Sequence, residues 1–278
     1  MDIGTAKASP AERAVVPHHG LDLVDPDVAF TAAHFHRTAL AALEGIAKRG
    51  RVALLVGGTG LYLRAVARGL ALEAVGADAA LRAELEARLA RDGLATLVEE
   101  LRVRDAAAAA AIDLRNPRRV VRALERAATS GSATPPPWQG YGAPLVWLGL
   151  ARDPVAHREA IETRARAQFD AGLLDEARVL RERYPEDLPA FSAMGYREAF
   201  DVLAGRTDLE TAVTTDVART WAYARRQRTW FRAEPQVTWL TVGEGLLERA
   251  WSALDAWLDP ADAPRGQGTQ AAGYAGRT

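Results

Sequence analysis

A chain of 278 residues, 49% hydrophobic and 26% charged, is long enough to bury a full core and too apolar to remain unfolded. It contains no cysteine, which excludes disulfides, thiolate chemistry and zinc sites built on Cys. No apolar run approaches bilayer length and the N-terminus lacks the basic and apolar regions of a signal peptide, so a cytoplasmic protein without membrane contact is expected.

In chain order, MDIGTAK (1–7) and PHHGLDLVDP (17–26) carry no apolar period and read as loop rather than as the start of an independent fold. Residues 31–49 read as a helix capped by Thr31, with Phe35, Ala39, Ala42, Leu43 and Ile46 on one face and Gly50 past its end. RVALLV (51–56) is apolar on both faces, as a buried parallel strand is. The GGTG turn (57–60) follows, and LYLRAVARGL begins another helix; strand, glycine turn and helix form the repeating unit of an α/β sheet. LVWLGL (145–150) and VTWL (237–240) read as further strands of that sheet. Residues 78–130 are helical in period throughout and end in a Gly- and Pro-rich stretch, GSATPPPWQGYGAP, while 152–183 and 208–232 read as long helices. The expected architecture is α/β, a discontinuous core of residues 1–74 and 143–258 interrupted by a helical insertion at 75–142, with a disordered tail at 259–278.

The net charge of −1 conceals two basic stripes. Residues 113–126 hold five Arg against two acids, and 217–232 hold five Arg and no acid, whereas 78–105 carry seven acids against five Arg. Clustered cations suit a polyanion, and solvated helix faces are the plainer reading of the same pattern. On the second stripe Arg225, Arg228 and Arg232 share a face with Trp221 one turn before them, and Tyr223, Gln227 and Trp230 point another way. Arg118, Arg122 and Arg126 form a second ridge. A glycine turn between strand and helix can cradle an anion, and Thr59 adds a hydroxyl there; tight packing explains such glycines equally well. No G-x-x-x-x-G-K-[ST] occurs, and the two lysines, Lys7 and Lys48, follow no such loop. In FSAMGYRE (191–198), Gly195 lets the backbone approach a ligand flanked by Tyr196 and Arg197, or else the stretch is a helix start with a core tyrosine. The five His do not converge, so no metal site is expected from protein side chains.

Six segments then occur in the order and spacing of one family: MDIGTAK, PHHGLDLVDP, LLVGGTGLYLRA (54–65), NPRRVVRALE (116–125), MGYRE (194–198) and ARRQRTWFR (224–232). From residue 1 to about 258 the chain resembles the tRNA dimethylallyltransferases, which move a dimethylallyl group from its diphosphate to N6 of adenosine 37 in tRNAs reading codons that begin with U. The resemblance implies a parallel core like that of P-loop nucleotide-binding proteins, Mg²⁺ as cofactor, dimethylallyl diphosphate and the tRNA anticodon stem–loop as partners, and no obligate protein partner. It places Thr59 beside the target nucleotide at the catalytic channel and Leu81 as a tRNA contact in the insertion, which would clamp the anticodon arm. Arg118, Arg119, Val120, Val121 and Arg122 would hold the anticodon stem and loop. So would Ser192, Ala193, Met194, Gly195, Tyr196 and Arg197, together with Arg225, Arg226, Gln227, Arg228, Thr229, Trp230, Phe231 and Arg232. Arg164, in IETRARAQFDAGLLDE, would partner the diphosphate.

The family places a first strand, a lysine-bearing phosphate loop and a D-S-x-Q-x-Y segment, whose Asp is its general base, ahead of MDIGTAK. None of these occurs here, and Asp2 belongs to MDIGTAK itself, so the chain as given is expected to be a partial reading frame, inactive alone. A tRNA-binding remnant without catalysis fits the same residues. An adenylate prenyltransferase or nucleotide kinase relative fits the core but has no use for an RNA grip.

Overall fold

The computed structural model describes residues 1–69, 78–130 and 142–258. In chain order its elements are α1 (Pro10–Val15), α2 (Ala32–Lys48), α3 (Gly60–Ala67), α4 (Ala79–Arg104), α5 (Ala106–Ala111), α6 (Pro117–Ser130), β1 (Trp147–Ala151), α7 (Pro154–Asp170), α8 (Leu173–Arg183), a 3₁₀ turn (Pro189–Ser192), α9 (Tyr196–Leu203), α10 (Leu209–Arg232), β2 (Val237–Thr241) and α11 (Leu246–Leu258). The class is α/β, mostly helical, with β1 and β2 paired in parallel from Trp147 opposite Val237 to Ala151 opposite Thr241. No helix among the described residues is long and apolar enough to cross a membrane.

Local chemistry accounts for most helix starts. Thr31 Oγ1 accepts from the His34 amide ahead of α2, Asp153 Oδ1 from the amides of Val155 and Ala156 ahead of α7, and Asp208 Oδ1 from that of Thr211 ahead of α10. Helix α1 lies between the two opening stretches read as loop, at residues given no reading from the sequence. Its signal is a capping box, in which Ser9 Oγ accepts from the Glu12 amide and the Glu12 carboxylate accepts from the Ser9 amide. Six residues with no buried side chain produce no apolar period, so the cap was the only trace.

Two other expectations are corrected. Residues 152–183 form two helices, because Gly172 adopts φ +99° between α7 and α8 and breaks the run. Residues 51–56 form no strand. They pair with no neighbour among the described residues, and Val52, Leu54 and Val56 are 68, 83 and 80% exposed. An apolar run shows that side chains suit a sheet interior, whereas a strand exists only where another backbone supplies its hydrogen bonds. The Gly- and Pro-rich stretch at 131–141 and the tail from 259 lie outside the described residues.

The described residues divide into two compact units, one comprising Met1–Leu63 and residues 144–258, the other those between Arg64 and Ala143. In the first, α7, α8, α9 and α10 close around Ile161, Phe169, Leu173, Phe191, Tyr196, Phe200, Val213 and Val217. MDIGTAK docks on this core through its backbone. The Glu176 carboxylate accepts from the amides of Asp2 and Ile3 at 3.0 and 2.9 Å and from the Tyr196 hydroxyl, and Gln168 Nε2 donates to the carbonyls of Ile3 and Gly4 at 2.8 and 2.9 Å. Gly4 is required by this contact, since a Cβ there would lie 2.4 Å from the Tyr196 ring.

In the second unit α4, α5 and α6 enclose Leu85, Leu97, Leu101, Val120, Val121 and Leu124. Gly93, at φ +79°, kinks α4. Glu125 is fully buried and its carboxylate receives Arg82 and Arg122, each at 2.8 Å. Two guanidinium partners make that burial tolerable, because an unpaired carboxylate in the same place would bear its whole desolvation cost.

Candidate functional site

Helix α10 organises the first unit's candidate site. Its side chains at 223, 227 and 230 fall three to four residues apart on one face, and that face packs on the GGTG turn. Gln227 Nε2 donates to the Gly58 carbonyl at 3.0 Å, and the Tyr223 hydroxyl lies 3.4 Å from Thr59 Oγ1. The Trp230 ring covers Gly60 so closely that a Cβ there would fall 2.2 Å from ring carbon Cε3. Gln227 and Trp230, expected among RNA contacts, thus support the turn from behind. Tyr223 does the same and was not singled out for that role; a 164-residue separation from Thr59 leaves no local trace of their pairing.

Thr59 is itself exposed, and its carbonyl accepts from the amides of Tyr62 and Leu63 as α3 begins. Its hydroxyl therefore sits at a helix N-terminus, where the dipole favours negative charge. Around the rest of α10, Arg225, Arg226, Arg228, Thr229 and Arg232 are exposed, and Phe231 is half-buried with its ring 5.0 Å from that of Trp230. Arg226 also lies over the Tyr223 ring at 5.7 Å.

A second cationic group gathers where α7 meets α10. His157 lies edge-on to Trp221 at 5.7 Å, and burial, then the charges of Arg152, Arg164 and Arg228, holds its imidazolium below the ordinary pKa. Arg152, Arg164 and Arg228 make the surroundings of His157 positive, and Arg164 is exposed among them.

The turn at 192–197 divides by exposure. Ser192 and Arg197 are exposed and Ala193 and Met194 are half-buried, while Gly195 takes φ +87° and Tyr196 is fully buried. Tyr196 is thus the core tyrosine, and burial, reinforced by its hydrogen bond to Glu176, pushes its phenol pKa up. Arg219 holds the turn through the Ser192 carbonyl and the buried Glu198 of the MGYRE motif, and Asp216 is a second buried carboxylate close to Glu198.

In the second unit Arg118 and Arg119 are exposed at the start of α6, where the Asn116 side chain accepts from both their amides. Val120 and Val121 point into the core, so their side chains fix the helix and leave surface contact to the arginines on either side. Arg122 is half-buried on Glu125, and Leu81 packs against the same apolar cluster. Among the described residues no three carboxylate or imidazole groups converge as a cation cage.

Fold and site together define an α/β protein in which one helix carries a glycine turn on one face and a row of arginines on the others. The sequence model of the IPP transferase family matches residues 1–234. A tRNA dimethylallyltransferase of Roseiflexus sp. (strain RS-1) is 44% identical over 268 residues, covering 93% of this chain and 86% of that protein. The tRNA dimethylallyltransferase of Anaeromyxobacter sp. (strain K) is 46% identical over 235 residues, covering 82% and 75%. Among solved structures, the full-length tRNA isopentenylpyrophosphate transferase of Bacillus halodurans superposes with a TM-score of 0.64 at 38% identity, over 92% of this chain and 82% of that one. A eukaryotic dimethylallyltransferase acting on tRNA shares the fold at a TM-score of 0.76 and 20% identity, over 92% and 69%. The chain belongs to the IPP transferase family, a family of prenyltransferases with a P-loop-like fold.

Proposed function

We propose that this chain serves the transfer of a dimethylallyl group from dimethylallyl diphosphate to N6 of adenosine 37 in tRNAs that read codons beginning with U. The observation that carries the reading is the division of α10, which grips the GGTG turn with Tyr223, Gln227 and Trp230 while Arg225, Arg226, Arg228 and Arg232 stay exposed. One rigid helix thereby ties a cationic row suited to phosphates to a turn suited to a reacting group.

In the reaction the N6 lone pair forms a bond to C1 of the allyl group, the C1–O bond breaks, diphosphate departs with the electron pair, and an N6 proton is lost. Negative charge accumulates on the leaving diphosphate, and Arg164, in the positive field that surrounds His157, is suited to neutralise it. Thr59 is suited to orient the extruded base, which must leave the stack for its amine to reach C1. Arg118 and Arg119 at the start of α6 would form the second unit's grip on the anticodon arm, with Arg122 and Leu81 holding α6 and α4 in place through Glu125 and the apolar cluster. A tRNA substrate implies a cytoplasmic location. Mg²⁺ would shield the diphosphate when bound.

The test is an anticodon stem–loop RNA carrying 2-aminopurine in place of the target adenine. Binding should raise its fluorescence as the base unstacks, and Thr59→Ala should blunt that rise while changing RNA affinity by less than about threefold, well under one tenfold step. Saturable binding with no change in fluorescence would remove the base-extrusion reading; no binding at low salt would remove the RNA reading altogether.

A further inference from the structure

We propose that Arg219 and Glu198 are positioning residues that lock the Ser192–Arg197 turn to helix α10, so that Arg197 and the Arg225–Arg232 row meet RNA as a single surface. The inference rests on the RNA reading above and names the device that would make two separate segments act together.

The geometry is a three-way tie. Arg219 Nη2 donates to the Ser192 carbonyl at 2.9 Å, at one end of the turn, and its Nη1 pairs with Glu198, which follows Arg197 at the other end. One guanidinium therefore spans both ends of the segment, which is the bidentate use that lysine cannot reproduce. Glu198 depends on that pairing, because its side chain is 4% exposed and its second oxygen has no hydrogen-bond partner. Between the two anchors Gly195 sits at φ +87°, and a Cβ there would meet Leu173 Cδ2 at 2.9 Å, so the turn is pressed against α8 and cannot shift inward. Charged groups bear on the tie from three helices: Asp216 and Arg219 on α10, Glu198 on α9 and Arg164 on α7. Asp216, 3% exposed, holds Thr220 Oγ1 at 3.4 Å beneath the turn.

Arg219 lies six residues before Arg225, about 9 Å along the helix axis. Displacing the turn relative to α10 would therefore change the spacing of Arg197 from the arginine row. A brace that served only the core would cost stability and leave the relation between those arginines unchanged.

The experiment is a double-mutant cycle on the full chain, reading affinity for an anticodon stem–loop RNA. Arg197→Ala, Arg225→Ala and the pair are compared in the parent and in an Arg219→Gln background. In the parent the two losses should be non-additive by about fivefold. In Arg219→Gln the non-additivity should fall within twofold, and Arg219→Lys should recover only part of it. Should Arg219→Gln fail to fold, Glu198→Gln carries the same cycle, since it keeps the shape and removes the charge. Retained non-additivity in the Gln background, whatever the change in melting temperature, overturns the proposal. If Arg225→Ala weakens binding and Arg197→Ala does not, the proposal falls while the RNA reading stands; if neither weakens it, both fall.

Discussion

Gly60→Ala tests the packing that ties the GGTG turn to α10. Gly60 is buried, lies outside the left-handed backbone region, and begins a helix, so alanine is acceptable to the backbone and only the added methyl matters. That methyl would lie 2.2, 2.3 and 2.5 Å from Trp230 Cε3, Cδ2 and Cζ3, roughly 1 Å or more short of ordinary carbon contact. An indole cannot bend, so either the turn lifts by about 1 Å or Trp230 rotates away, at an overpacking cost of about 1–3 kcal/mol. At about 2 kcal/mol the folding equilibrium shifts roughly thirtyfold, which urea unfolding resolves easily, and near-UV circular dichroism should report the displaced tryptophan. Trp230→Leu in the same chain should relieve the clash and recover most of the loss. Gly58→Ala is the internal control: its methyl meets the Gln227 amide at 1.9 Å, but that amide ends a flexible side chain and can swing aside, so the cost should stay near that of one hydrogen bond, about 1 kcal/mol. A Gly60→Ala chain with the parent's urea midpoint and unchanged near-UV spectrum would refute the packing.

The arginines of α6 should separate by role. Arg118→Ala should lower the salt dependence of RNA binding by about one phosphate contact without changing stability, whereas Arg122→Ala should destabilise by about 1–3 kcal/mol because it removes a partner of buried Glu125. Equal melting temperatures for the two variants would contradict the assignment. Burial, then the neighbouring Glu198 charge, raises the Asp216 pKa above the unfolded value of ~3.9, so between the two values the folded state binds more proton than the unfolded state. Its contribution is fully present below about pH 4 and declines as pH rises through the folded value; Asp216→Asn should therefore gain stability over the parent with rising pH, and a constant difference in melting temperature would count against this. Asp22 is held at about 2 by hydrogen bonds from Lys7 and then Arg13, so its stabilisation is present above about pH 4 and fades towards pH 2. Lys7→Ala should move the Asp22 carboxyl titration upward when followed by NMR, and an unmoved midpoint would show that Lys7 is not the cause.

Much of this protein could be read directly from its residues. The cap at Thr31, the apolar period of α2 and the arginines of α10 act over one or two helical turns, so their meaning survives without the rest of the chain. Motif order alone placed the chain in its family. Short-range pattern could not tell which face each side chain would find. GYRE is equally a ligand turn or a helix start until Glu176 and Gly4 arrive to bury Tyr196, and RVALLV is a strand only if another backbone lies beside it. Val120 and Val121 sit within a basic motif yet belong to a core, and Arg122 turns to a buried Glu125 that only the packing of α4 on α6 creates. Thr59 meets Tyr223, and Ser192 meets Arg219, across long separations in the chain. Such contacts depend on which surfaces the fold brings together, and that selection is made by the burial of whole helix faces rather than by any local run of residues.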